Sequence, residues 1–140
     1  MKKYALVLLM FCIKAQALNL PFKDKDLNAY LKKHQNGVIY ILSPHMYLSL
    51  KGYPEYESIA KKHRLSFLPL LDPMASTLEN TVQLDLKNIS VLSSKVLLQK
   101  DAVLHFPSYV FFRNGKILGR FNPGYDAPDK YEERLVKVFE

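Results

Sequence analysis

Sulfur chemistry is almost absent from this chain. Its one cysteine is Cys12, and residues 13–140 contain none. That stretch cannot close a disulfide, offer a thiolate nucleophile or bind a metal through sulfur anions. Other signatures are missing too. No Gly-x-Ser-x-Gly elbow marks a hydrolase nucleophile, and Asp72 and Asp101 show no paired-carboxylate spacing. No repeat or low-complexity tract appears, and no linker rich in Gly, Ser or Pro divides the chain into domains. No basic stripe interleaves with aromatics, so a nucleic-acid partner is not expected.

What is present is ordinary for one globular domain. Hydrophobic residues make up 49% and charged residues 24% of the 140, enough for a single core. The N-terminus reads differently. Lys2 and Lys3 precede the unbroken apolar run Ala5–Ile13, and Ala15-Gln16-Ala17 places small residues where a signal peptidase reads. Residues 1–17 are therefore expected to be a secretory signal peptide and residues 18–140 the domain, with a periplasmic or secreted location. The apolar run is too short to span a bilayer, so no integral membrane span is expected after cleavage. Phe11 before Cys12 argues against a lipoprotein site, which resembles a small residue followed by cysteine. Removing Lys2, Lys3 and Lys14 lowers the formal net charge from +7 to +4, which by itself names no partner.

Along the domain, Leu18–Phe22 is extended. Asp24 to His34 has Leu27, Tyr30 and Leu31 on one face, acids at its start and cations at its end, and Asn36-Gly37 behind it, which predicts a helix. Val38–Leu42 is a short, β-branched, continuous apolar run that predicts a buried central strand. Ser43-Pro44 then suits an N-cap and first helical position, so a helix is expected from there, interrupted near Gly52 and resuming from Pro54 through His63. Ser66–Leu71 is the next strand, ended by Asp72-Pro73. Residues 75–82 fit a helix and 82–86 fit a strand. Ser93 to Lys100 fits a helix with Ser93 or Ser94 as its cap. Ala127–Phe139 predicts a final helix, with Pro128 in its first turn and Tyr131, Leu135, Val138 and Phe139 inside.

Between these lies the most specific stretch. Two β-prone runs, Tyr109–Phe112 and Ile117–Phe121, flank Arg113-Asn114-Gly115-Lys116. Asn-Gly tolerates the positive φ values of a primed hairpin turn. Pro107 stands at the mouth of the first run, where a missing N–H breaks no ladder, and Pro123-Gly124-Tyr125 marks a turn after the second. The order of elements predicts an α/β fold, a mixed central sheet with helices on both faces.

The block Phe106-Pro107-Ser108, Asn114-Gly115-Lys116 and Pro123-Gly124, together with the strand Val38–Leu42 running into Ser43-Pro44-His45-Met46, resembles the thioredoxin-like superfamily, in particular its secreted members. The resemblance implies that Pro107 is cis and faces the motif that opens the helix. In that family the motif is Cys-x-x-Cys, often Cys-Pro-His-Cys in periplasmic oxidants. Here Pro44 and His45 are kept, while Ser43 and Met46 stand in the cysteine positions. Disulfide exchange needs one thiolate to attack and a second thiol to resolve. Serine and a thioether supply neither, so the chain is expected to be redox-inactive, to act without a cofactor and to lack an enzyme's reactive group.

Three functions remain open at that site. A binding module would hold an extended peptide or protein beside Pro107 by strand-like pairing, using Ser43, Pro44, His45, Met46, Tyr47, Phe106, Pro107 and Tyr109. A copper site would use His45, Met46 and His105, since imidazole and thioether suit Cu(I); otherwise His45 is solvated and Met46 fills a gap. A hydrolase would need Ser43 and His45 to meet, with no evident acid to orient the histidine. Lys61-Lys62-His63-Arg64 reads as a solvated helix end.

Overall fold

The computed structural model describes residues 19–74, 86 and 88–140. The segments 75–82 and 82–86, for which helix and strand were expected, lie outside the described residues apart from Leu86. Among the described residues, strands β1 (Pro21–Phe22), β2 (Gly37–Leu42), β3 (Ser66–Leu71), β4 (Val91–Leu92), β5 (Ser108–Arg113), β6 (Lys116–Ile117) and β7 (Asn122–Pro123) form one sheet, and α1 (Asp24–His34), α2 (Tyr47–Lys62), α3 (Lys95–Leu98) and α4 (Pro128–Phe139) cover it.

The sheet order is β1-β4-β3-β2-β5-β6, with β7 paired to β5. β2 runs parallel to β3 and antiparallel to β5, which makes the sheet mixed. The pleat sorts β2 between two cores. Val38, Tyr40 and Leu42 pack with Tyr56 and Ala60 of α2 and Tyr131 and Leu135 of α4. Ile39 and Ile41 pack with Leu27 and Leu31 of α1 and Leu97 of α3. Helices thus cover both faces, as the α/β pattern implied. The hairpin turn also forms as expected, with Asn114 at φ 52° and Gly115 at φ 73°.

Two expectations about α2 are corrected. The helix does not start on a Ser43 cap: Met46 is its N-cap, and Ser43-Pro44-His45-Met46 is a turn closed by the Met46 N–H to the Ser43 carbonyl at 3.2 Å. The reason is tertiary. The Ser49 hydroxyl accepts the Ser43 N–H at 3.2 Å, and the Tyr40 hydroxyl donates to the Ser49 carbonyl at 2.6 Å. These bonds pin the first turn of α2 to the end of β2. Nor is the helix interrupted. It runs through Gly52 and Pro54; a Cβ at Gly52 would lie 2.7 Å from the Tyr40 hydroxyl, so glycine there lets the helix pack closely on β2. At α3, Ser94 is the cap, accepting from the Leu97 N–H, and the helix is shorter than expected. The turn expected at residues 123–125 begins inside β7.

Gly37 marks a close approach in the sheet. A Cβ there would lie 2.3 Å from the Ser66 carbonyl oxygen and 2.7 Å from Cζ of Phe112. Gly37→Ala is expected to destabilise the fold by about 3 kcal/mol, the upper range for overpacking, as read from the midpoint of urea unfolding. An unchanged midpoint would show that β2 and β3 can separate freely.

Candidate functional site: an apolar cleft beside Pro107

At the C-terminal end of β2, the turn 43–46 faces the loop before β5. Pro107 is buried and its peptide bond to Phe106 is cis. The Gly124 N–H donates to the Pro107 carbonyl at 2.8 Å, the Ser108 hydroxyl donates to the Ala102 carbonyl at 2.9 Å, and Arg120 pairs with Asp101 at 2.7 Å. These contacts fix the loop that carries Leu104, His105 and Phe106. Between loop and turn lies a cleft of about 470 Å³ lined by Met46, Leu48, Leu104, His105, Phe106, Pro123, Gly124 and Tyr125. None of its walls is Asp, Glu, Lys or Arg. Met46, Leu48 and Leu104 stay exposed there (44%, 43% and 63%).

The residues expected to form one site separate into groups. Met46, Phe106 and His105 come together in the cleft. Ser43, Pro44 and Pro107 are buried next to it. His45 and Tyr47 are exposed without lining it. Tyr109 is a correction: it is fully buried, and its hydroxyl donates to Asp126 Oδ2 at 2.6 Å, so it offers no surface to a peptide. β5 is buried on both faces, so both sets of alternating side chains belong to the core. The three donors of the copper reading do not all meet, since His45 lies outside the walls shared by Met46 and His105. Among the described hydrogen bonds none joins Ser43 to His45, and the hydrolase arrangement is not built.

Sequence reasoning missed Leu48, Leu104, Pro123, Gly124 and Tyr125. Tyr125 is the best held of them. Its hydroxyl donates to Glu55 at 2.6 Å, Lys51 lies 5.4 Å above its ring, and Tyr56 lies nearly parallel at 6.1 Å. Partial desolvation, followed by the Glu55 carboxylate, pushes its phenol up to about 12. Behind it Asp126 joins loop to core. It accepts from Tyr109, lies 3.4 Å from Lys130 and 3.6 Å from Arg134, and its main chain exchanges hydrogen bonds with the Tyr56 hydroxyl. The signal available in sequence was weak: Asp126 directly follows the turn and stands four residues before Lys130.

Solved structures share this fold. An exposed lipoprotein thioredoxin of Streptococcus pneumoniae superposes with a TM-score of 0.54 at 21% identity, over 76% of this chain and 89% of that one. The fold is thioredoxin-like. A Plasmodium falciparum thioredoxin matches with a TM-score of 0.56 at 10% identity, over 88% of this chain and all of its own. A Schistosoma mansoni thioredoxin matches at 0.55 and 16%, over 85% and 94%. At these identities the likeness is one of fold. No family model matches the sequence, and no curated protein matches it.

Proposed function

We propose that this chain is an exported thioredoxin-like protein that binds an extended polypeptide noncovalently in the cleft beside Pro107. Residues 1–17 would be its signal peptide and residues 18–140 the working domain, in the periplasm or outside the cell. The observation that carries the reading is the cleft itself: a largely apolar groove without Asp, Glu, Lys or Arg in its walls, next to a turn that holds Ser43 and Met46 instead of two thiols. Membership of a thioredoxin-like fold supplies a place for a peptide, and the side chains present supply no atom to exchange electrons with it. The exposed lipoprotein among the structural neighbours is consistent with an envelope location.

A bound segment would cover Leu104, Met46 and Leu48. Burying one such side chain contributes about 1.5–3 kcal/mol, and placing a carboxylate there would oppose the burial of any apolar partner. Leu104→Asp is therefore expected to weaken binding of uncharged, apolar peptides at least about tenfold, with the fold intact because Leu104 is exposed. Fluorescence anisotropy with a peptide panel measures it. Absence of binding to every unfolded or extended peptide, or equal binding by the variant, contradicts the reading.

A further inference from the structure

A cluster of cations without ion pairs among the described residues lies at the end opposite the cleft. The N-terminal ends of β2 and β3 meet the hairpin turn there. Gly115 N–H donates to the Gln35 carbonyl at 2.8 Å, Asn114 N–H to Asn36 Oδ1 at 2.9 Å and Ser66 N–H to the Asn36 carbonyl at 3.2 Å, while Ser66 Oγ lies 3.0 Å from His34 Nδ1. The three segments joined at this junction, residues 27–54, 58–71 and 102–125, contain no Asp or Glu. They bring Lys32, Lys33, Arg64, Arg113 and Lys116 to one end. All five are exposed, and none takes part in an ion pair among the described residues. Arg113 donates only to the neutral Val138 carbonyl. Of the acids nearby, Glu132 is paired with Lys62 and hydrogen-bonded to His63, and Glu140 lies 3.6 Å from His63.

We propose that this basic end docks on an anionic phospholipid bilayer. Five unpaired cations without an interspersed acid fit a polyanion. The manner of fit favours a diffuse negative surface over a discrete phosphate. A shallow cleft of about 410 Å³ does lie here, lined by Asn28, Leu31, Lys32, Gln35, Asn114 and Gly115. Two of its donors are spent internally, Gln35 Nε2 on the Lys32 carbonyl at 2.8 Å and the Gly115 N–H on the Gln35 carbonyl, and Lys32 is the one cation in its walls. Helices α1 and α2 also end here, and helix C-termini repel a localised anion. Among the described residues no exposed aromatic platform for single-stranded nucleic acid accompanies the cations. A bilayer's extended potential asks only for clustered cations, each contributing about fivefold in affinity. Docked this way, the protein turns its peptide cleft away from the lipid.

Protein purified after expression of the full chain tests this by sedimentation with vesicles of phosphatidylglycerol and phosphatidylcholine, with pure phosphatidylcholine as the baseline. Binding above baseline is expected, falling steeply with salt. Lys32→Gln/Lys33→Gln/Lys116→Gln is expected to lose about a hundredfold in affinity. Lys23→Gln/Lys25→Gln/Lys95→Gln removes equal charge from exposed positions toward the other end and is expected to lose less than about twofold, being screened from the surface. Equal losses in the two triple variants, or no binding above baseline, overturn the proposal. Binding to soluble polyglutamate that is tighter than to the vesicles also overturns it, in favour of an acidic polypeptide.

Discussion

Ser43→Cys/Met46→Cys is expected to give this chain a thiol–disulfide exchange activity, with the native sequence expected to show none. Residues 43–46 form a turn, and the ends of such a turn stand less than about 7 Å apart between Cα atoms. That separation overlaps the range a disulfide spans. The thiol introduced in place of Ser43 would sit just before α2, where proximity to a helix N-terminus lowers a thiol pKa. In the presence of dithiothreitol, the double variant is expected to reduce a protein cystine: one thiolate attacks, the second resolves the mixed disulfide, and dithiothreitol returns the two electrons. The native chain is expected to show no turnover above the uncatalysed background. Without dithiothreitol, Ser43→Cys alone, which lacks the resolving thiol, is expected to attack a disulfide-linked peptide, release one half as a free thiol and keep the other as a stable mixed disulfide. Two introduced thiols that never pair would show that Ser43 and Met46 do not stand where a dithiol works.

Alkaline solution is expected to unfold the protein cooperatively. Tyr40, Tyr56, Tyr109 and Tyr131 form a contiguous buried cluster, with Tyr56 and Tyr131 stacked at 3.9 Å. Burial, the largest cause for each, pushes all four phenols far above their ordinary value; at Tyr109 the hydrogen bond to Asp126 adds to it. Burial also raises Tyr30 to about 12, against a smaller opposing contribution from Ser66. The sign follows from linkage. An unfolded tyrosine loses its proton near pH 10, while the folded one keeps it. This stabilisation is complete below about pH 10 and is lost as pH rises, at up to about 1.4 kcal/mol per pH unit for each fully buried phenol. Several such slopes acting together consume a typical stability of about 5–15 kcal/mol within roughly two to three units above pH 10. Tyrosinate absorbance and circular dichroism should therefore change together. Tyr131→Phe should reduce the pH slope by about one proton's worth. Buried phenols that ionise near pH 10 in a protein with native dichroism would contradict this.

Local physics made much of the fold readable. Asn114-Gly115 announced its turn because few residues accept two positive φ values in succession. Asp24–His34 announced a helix through its apolar face and its charged ends. Tertiary bonds hid the rest. Ser43 looked like a cap, but Ser49 and Tyr40 claim that region and move the helix start to Tyr47. Gly52 and Pro54 looked like a break, but the helix runs through both, and Gly52 lies close against Tyr40. Tyr109 looked like a groove residue because it follows Pro107 closely, yet both faces of β5 are buried. The cleft is harder still to read, since Leu48, Leu104 and Tyr125 belong to three separate segments with no shared spacing. Their meeting depends on the hydrogen bond from Gly124 to Pro107, which leaves no pattern in sequence, and on the anchoring of Asp126, which leaves only a weak one.

The reading of this chain as a peptide-binding protein without sulfur chemistry is tested most directly by backbone amide chemical-shift mapping during titration with an uncharged, apolar peptide. Shifts concentrated at Met46, Leu48, Leu104, Phe106, Gly124 and Tyr125, with Asn28, Lys32 and Gly115 unmoved, are the predicted result. Saturable shifts elsewhere with those six silent, or no shifts with any peptide, would contradict it.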